Sequence, residues 1–176
     1  YKFYDIKLVK QNQKKLIKDA IKAHDRFQFA YGKFLKEINS TSFFRYYSFV
    51  CLAAGSSLYY LLFKEVQKNI RSFYKKKGPL WFQCWLNLHK QDEVLAWHNH
   101  EDCTFHGYIS IDPKNTETEF KDFTVKNEAG KMYLGPAYKH HKVNVLSPFK
   151  GQRITIAFDV VNADDFKAME IKYGPQ

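Results

Sequence analysis

Histidines gather in two short stretches of this chain, and together they offer ligands for a metal ion. Five of the seven His fall between His98 and His141. His98-Asn99-His100-Glu101-Asp102 forms a dense first group, and His140-His141 a second, preceded by Gly135-Pro136. A lone His on a strand is usually a hydrogen-bonded structural residue, but two such groups on strand ends can converge on one ion. Imidazole and carboxylate donors without Cys suit Fe(II), Mn(II), Ni(II) or Zn(II). The three Cys (Cys51, Cys84, Cys103) form no CxxC pair, which disfavours a thiolate zinc site. Their odd count without framework spacing fits reduced thiols and a cytoplasmic setting.

The first group can be read in two registers. Along an extended chain, residues i and i+2 share a face and lie about 6.6 Å apart. His98, His100 and Asp102 would therefore point the same way, with the outer two about 13 Å apart. That is too far for both to reach one ion through bonds near ~2 Å. Either His98 and His100 bind, or His100 and Asp102 do, and His100 belongs to both pairs. The choices differ in charge: with a divalent ion, a site including Asp102 carries +1 and a three-His site +2.

Such a site needs a rigid frame, and the chain after Pro79 supplies a two-residue period. Strands are expected near residues 80–87, 93–98, 104–111, 118–125, 131–134, 143–146, 152–160 and 166–173. Asp112-Pro113-Lys114-Asn115 and Glu128-Ala129-Gly130 are turn signals between them. Before Pro79 the pattern is helical. Residues 11–29 place Leu16, Ile17, Ala20, Ile21 and Ala23 on one side and Lys14, Lys15, Lys18 and Lys22 mostly on the other. An edge strand is expected within residues 3–9 and a loop at Asn39-Ser40-Thr41-Ser42. A second helix begins at Gly55-Ser56-Ser57, with Lys75-Lys76-Lys77 in its last turn and Gly78-Pro79 ending it. Helices that precede the strands, instead of alternating with them, argue for an α+β fold with a jelly roll or sandwich. One domain over residues 1–176 is expected, with a mainly helical, basic support region at 1–79 and a β-rich metal-binding core at 80–176.

Net charge is +10, and it is uneven: residues 1–80 hold 17 Lys/Arg against 5 Asp/Glu, while the remainder holds 11 against 13. The basic half is either a set of solvated helix faces or an anion-binding surface for nucleic acid. No stretch reaches the ~18 apolar residues that span a bilayer.

The order of the site residues resembles the Fe(II)- and 2-oxoglutarate-dependent dioxygenase superfamily. His100-Glu101-Asp102 matches its HxD, His141-Lys142-Val143 its distal H-x-V, and Arg153-Ile154-Thr155, twelve residues on, its R-x-S/T strand. The likeness is closer to the small 2-oxoglutarate oxygenases of phages and marine bacteria. Their pattern runs W-x-N, H-x-H, S-G-x-Y-Y, P-x-W-x-x-H-x-V and R-I-S-I-A-F-N. Here stand Trp85-Leu86-Asn87, His98-Asn99-His100, His106-Gly107-Tyr108, Pro136 to Val143, and Arg153-Ile154-Thr155-Ile156-Ala157-Phe158-Asp159. The match covers roughly residues 80–160, with His106 standing for Ser and Tyr138 for Trp.

The resemblance implies a double-stranded β-helix, a cupin-like jelly roll with N-terminal helices packed on it. It implies Fe(II) on His98, His100 and His141, with Asp102 as the alternative carboxylate ligand. Arg153 would bind the distal carboxylate of 2-oxoglutarate, Thr155 would add a hydroxyl donor, and Asn87 and Tyr108 would contact cosubstrate or substrate. The implied activity is a hydroxylase using O2, with the substrate unspecified. The competing reading is a non-catalytic or 2-oxoglutarate-independent metal-binding jelly roll whose basic face takes an anion or nucleic acid. His106 could line the pocket or pack in the core. His140 is expected to neighbour the true ligand, Trp97 and Tyr138 to pack, and His24 and His89 to be surface or satisfied residues.

Overall fold

The computed structural model describes residues 1–31, 55–93, 95–100 and 102–165. β1 (Lys2–Asp5) leads into α1 (Lys7–Tyr31); α2 (Ser57–Phe73) follows. The remaining strands are β2 (Leu80–His89), β3 (Phe105–Asp112), β4 (Thr116–Phe120), β5 (Thr124–Lys126), β6 (Lys131–Pro136), β7 (His141–Val145) and β8 (Arg153–Asn162).

Antiparallel pairing gives one sheet in the order β1-β6-β3-β8-β2 and a second in the order β5-β4-β7. Residues 95–98 lie beside β7 and extend the smaller sheet. His98 and His141 exchange backbone hydrogen bonds of 3.0 and 2.9 Å, and Val143 donates to the Leu95 carbonyl at 3.2 Å. Neighbouring strands within each sheet are mostly distant in sequence, because the chain crosses repeatedly between two facing layers. This is the double-stranded β-helix, an α+β jelly roll of the cupin type.

Strand alternation divides the larger sheet into two faces. Cys84, Leu86, Leu88, Ile109, Ile111, Ile154, Ile156, Phe158 and Val160 join the main core. α1 adds Val9, Leu16 and Ala20 to that core, and α2 adds Tyr59, Leu62, Val66 and Ile70. Two polar contacts tie the helices down: Gln13 Nε2 donates to the Ile111 carbonyl at 2.9 Å, and the Tyr59 hydroxyl to the Leu16 carbonyl at 2.8 Å. The opposite face, facing the smaller sheet, carries Gln83, Trp85 and Asn87 from β2 and Arg153, Thr155, Ala157, Asp159 and Val161 from β8. Lys14, Lys15, Lys18 and Lys22 on α1 are exposed. They therefore lie on the helical side of the larger sheet, away from the inner face.

Several local expectations are corrected. The first helix begins at Lys7, not near residue 11, and bends at Asn12 (φ −123°, ψ 18°), whose side-chain amide donates to the Leu8 carbonyl at 3.0 Å. Val9 thus belongs to the helix, and the edge strand is Lys2–Asp5. α2 stops at Phe73, before Lys75-Lys76-Lys77, which follow it as exposed residues outside the helix. The expected strand over 118–125 is two strands, because Lys121 to Phe123 make a tight reversal, with the Phe120 amide donating to the Phe123 carbonyl at 2.8 Å. Within the expected strand over 93–98, the described residues that pair with β7 are Leu95, through its carbonyl, and His98. The expected loop at 39–42 and the strand at 166–173 lie outside the described residues.

Candidate metal centre

A cavity of about 420 Å³ opens between the two sheets, and it takes in the metal-ligand and cosubstrate-contact candidates from the sequence. His98, His100, Asp102, His141, Asn87, Tyr108, Arg153 and Thr155 all line it. Exposure falls steadily along one wall. Gln83 is exposed, whereas Asn87 is 2% and His89 0% exposed. The mouth is therefore at Gln83, Asp102 and Asp159, and the blind end lies towards Arg153, which pairs with His89 across β2 and β8.

Three imidazoles meet in this cavity. One ligand atom each from His98, His100 and His141 lie within 4.8 Å of one another, so the three can hold a metal ion. The paired backbones of His98 and His141 bring their ring centroids to 4.2 Å. Each imidazole has its Nδ1 facing an oxygen: the Ala96 carbonyl at 2.8 Å for His98, the Lys139 carbonyl at 3.1 Å for His141, and Asp159 Oδ1 at 2.7 Å for His100. For His98 and His141 an Nδ1–H held this way leaves the Nε2 lone pair free for a metal; the His100–Asp159 contact is at ion-pair distance without hydrogen-bond geometry. Burial pushes His141 down to about 3 and lowers His98, and the neighbouring imidazoles add to both shifts. Neutral imidazole is the form that ligates a metal. Asp102 is exposed on the cavity rim and is not part of the group of three.

His106 lies against this cluster. It is 1% exposed, and its ring stacks on His100 at 4.4 Å (12°) and on His141 at 4.9 Å (13°). Its Nε2 is buried without a hydrogen-bond partner, and burial together with the adjacent imidazoles holds its pKa well below the ordinary value. It lines the pocket and is buried at the same time. The signal in sequence was its inward register on β3, two residues before Tyr108.

Polar atoms in the deeper part of the cavity lack protein partners. Arg153 is 3% exposed, and its Nε and Nη1 find no hydrogen bond. Among the described residues no carboxylate pairs with it, and burial alone pulls its pKa to about 10, which leaves it cationic at neutral pH. Thr155 Oγ1, Ser110 Oγ and Asn87 Oδ1 are likewise buried and unpartnered. Tyr108 is near enough to feel the Arg153 charge, and burial raises its hydroxyl to about 12. An unpaired buried cation is costly, and an anion entering the cavity would offset that cost.

Four other expectations concern the surroundings. Of the two roles expected for His89, surface or satisfied, burial removes the first, and burial with the adjacent Arg153 cation lowers it to about 4. His140 is exposed beside His141. Trp97 and Tyr138 do not pack inside: they are 42% and 71% exposed. Lys142 and Lys121 lie over the Trp97 ring at 5.0 and 5.8 Å, on the outer side of the smaller sheet.

No family model matches the chain, and no curated protein matches it. Solved structures do. It is similar to KdgF from a Halomonas species, with 16% identity over 51% of this chain and 79% of that one and a TM-score of 0.39. It is similar to a cupin-2 domain protein from Shewanella frigidimarina, with 21% identity, 51% and 88% coverage and a TM-score of 0.32. A 2OG-Fe(II) oxygenase family member from Burkholderia pseudomallei shares 12% identity over 52% of this chain and 50% of that one, with a TM-score of 0.42. Among the described residues no helix is long and apolar enough to cross a membrane.

Proposed function

We propose that this chain is an Fe(II)- and 2-oxoglutarate-dependent oxygenase of the hydroxylase type. The observation that carries the reading is the buried, unpaired Arg153 at the blind end of the cavity that also holds the three imidazoles. A metal-binding jelly roll without an anionic cosubstrate has no use for a desolvated guanidinium there. A dicarboxylate needs two anchors, one at each end, and this cavity has a cation at one end and a metal-binding cluster nearer its mouth.

The donor set fits the group. His98, His100 and His141 would hold Fe(II), a borderline ion that accepts imidazole. Iron with 2-oxoglutarate supplies, when bound, oxidising power coupled to loss of carbon dioxide from the keto acid. This chain's own residues do the rest. Arg153 donates from its planar fork to the distal carboxylate, a geometry Lys cannot reproduce. Thr155 offers a hydroxyl, and Asn87 an amide, among the residues that line the cavity with Arg153. Ala157, on the same face of β8 between Thr155 and Asp159, leaves room for the bound chain of the cosubstrate. The walls exclude water around the cation and strengthen its attraction for an anion.

The test is anaerobic titration of the purified protein with Fe(II) and 2-oxoglutarate. A weak visible charge-transfer band that needs both additions is expected. Metal uptake with no response to 2-oxoglutarate, in the spectrum or in thermal stability, would overturn the oxygenase reading in favour of a metal-binding jelly roll without the cosubstrate.

A further inference from the structure

The three imidazoles differ in what stands behind them. His98 and His141 turn Nδ1 to the carbonyls of Ala96 and Lys139, which are neutral acceptors. His100 turns Nδ1 to a carboxylate, with Asp159 Oδ1 at 2.7 Å. We propose that Asp159 is a positioning residue for the metal, supplying through His100 the negative charge that a three-imidazole site lacks. The inference rests on the metal half of the proposed function and not on 2-oxoglutarate.

The contact is held from several sides. The His100 ring is stacked between Trp85 at 5.9 Å (22°) and His106 at 4.4 Å (12°), which limits its rotation about the Asp159 contact. Asp159 sits mid-strand on β8, paired with Gln83 on β2 and with His106 on β3, so its backbone cannot drift. The Cys103 thiol, which donates to the His100 carbonyl at 3.3 Å, lies against the same carboxylate, and burial beside it drives that thiol up to about 12. Among the described residues no Lys or Arg makes an ion pair with Asp159, so its charge is not spent elsewhere.

A carboxylate standing against the imidazole of a metal ligand makes the ring's other nitrogen a stronger donor; here the contact is at ion-pair distance, and Asp159 Oδ1 makes no hydrogen bond of ordinary geometry. Three neutral imidazoles on a divalent ion leave +2 at the site; Asp159 returns the total to +1. That is the charge an HxD-type ligand set would give, with the carboxylate moved one residue layer outwards.

Asp159→Asn removes the charge and keeps the size. Affinity is measured with Co(II), by competition against a chromophoric chelator, on the full chain. Asp159→Asn is expected to weaken Co(II) binding by about 10- to 100-fold and to shift the visible cobalt bands, which report the donor strength of the ligands. Asp159→Glu keeps the charge and is expected to stay closer to wild type than the amide; the reverse order overturns the proposal. Asp92→Asn removes an exposed carboxylate outside the cavity, and it is expected to leave affinity unchanged. An equal loss in Asp92→Asn would mean a general charge effect and would overturn the proposal, as would wild-type affinity and spectrum in Asp159→Asn. A wild-type protein that binds Co(II) but ignores 2-oxoglutarate defeats the oxygenase reading and leaves this one standing.

Discussion

His98 and His141, 43 positions apart in the chain, form a mutually hydrogen-bonded antiparallel pair at N···O distances of 3.0 and 2.9 Å. Facing residues in such a pair project from the same side of the sheet. Two short sequence motifs thus supply two of the three clustered imidazoles by backbone pairing alone. His100 completes it from the other end of the loop, where its amide donates to the Ala137 carbonyl at 3.1 Å.

His98→Ala, His100→Ala and His141→Ala are therefore each expected to lose Fe(II), and Asp102→Ala to keep it. Iron content after anaerobic loading and desalting checks this. Retention of full iron by His100→Ala would require the site to be rebuilt from other residues.

Arg153→Met should separate stability from function. The metal-free variant is expected to melt higher than wild type, because replacing buried charge with a well-packed apolar side chain commonly stabilises by about 1–4 kcal/mol. Its 2-oxoglutarate affinity is expected to drop by about 2–5 kcal/mol, roughly 30-fold or more. Thermal melts with and without the dicarboxylate read both effects. A variant that melts lower and binds metal poorly would show Arg153 to be a folding residue.

The buried imidazoles set a pH dependence. Burial holds His89 at about 4 and His141 at about 3, and keeps His106 well below its usual range. These folded-state values lie below the ordinary value of about 6.5. Between them the unfolded chain takes up protons that the folded chain refuses, so stability is fully present above pH ~6.5 and is lost as the pH falls towards 4. The slope for one such imidazole is about 1.4 kcal/mol per pH unit. The clustered rings titrate as a unit and give less than a simple sum. Urea midpoints of the metal-free protein at pH 7, 6 and 5 should decline, and less steeply in His106→Asn. A flat profile is incompatible with neutral buried histidines.

Gly107→Ala is expected to destabilise by about 1–3 kcal/mol, the usual cost of overpacking. A Cβ there would lie 2.6 Å from the Phe158 ring and collide with the Tyr133 backbone carbonyl. Equilibrium denaturation checks this; unchanged stability would mean that β3 and β6 can separate without cost.

Much of the jelly roll was legible because its strands alternate. Ile154, Ile156, Phe158 and Val160 announce one buried face of β8, and Arg153, Thr155 and Asp159 the other. The helix stripes were legible for the same reason at their own period. Sequence could not show that residues 121–123 reverse the chain, since they carry no Gly or Pro, or that Asn12 bends α1. The ligand register was undecidable along one extended strand, because the chain leaves strand geometry after His98. Asp159 was missed for a different reason: its partner is 59 positions away, and no local spacing marks a carboxylate that will stand behind an imidazole.

Arg153 occupies a cul-de-sac, with the imidazole cluster between it and the mouth. Traffic in a cul-de-sac is last in, first out. On the proposed function, the dicarboxylate must be seated before the molecule to be oxidised arrives, and its remnant can depart only after the entrance clears. Steady-state kinetics should then show a compulsory order of addition. The oxidisable molecule, in excess, should become an inhibitor by parking in the doorway before the dicarboxylate has passed.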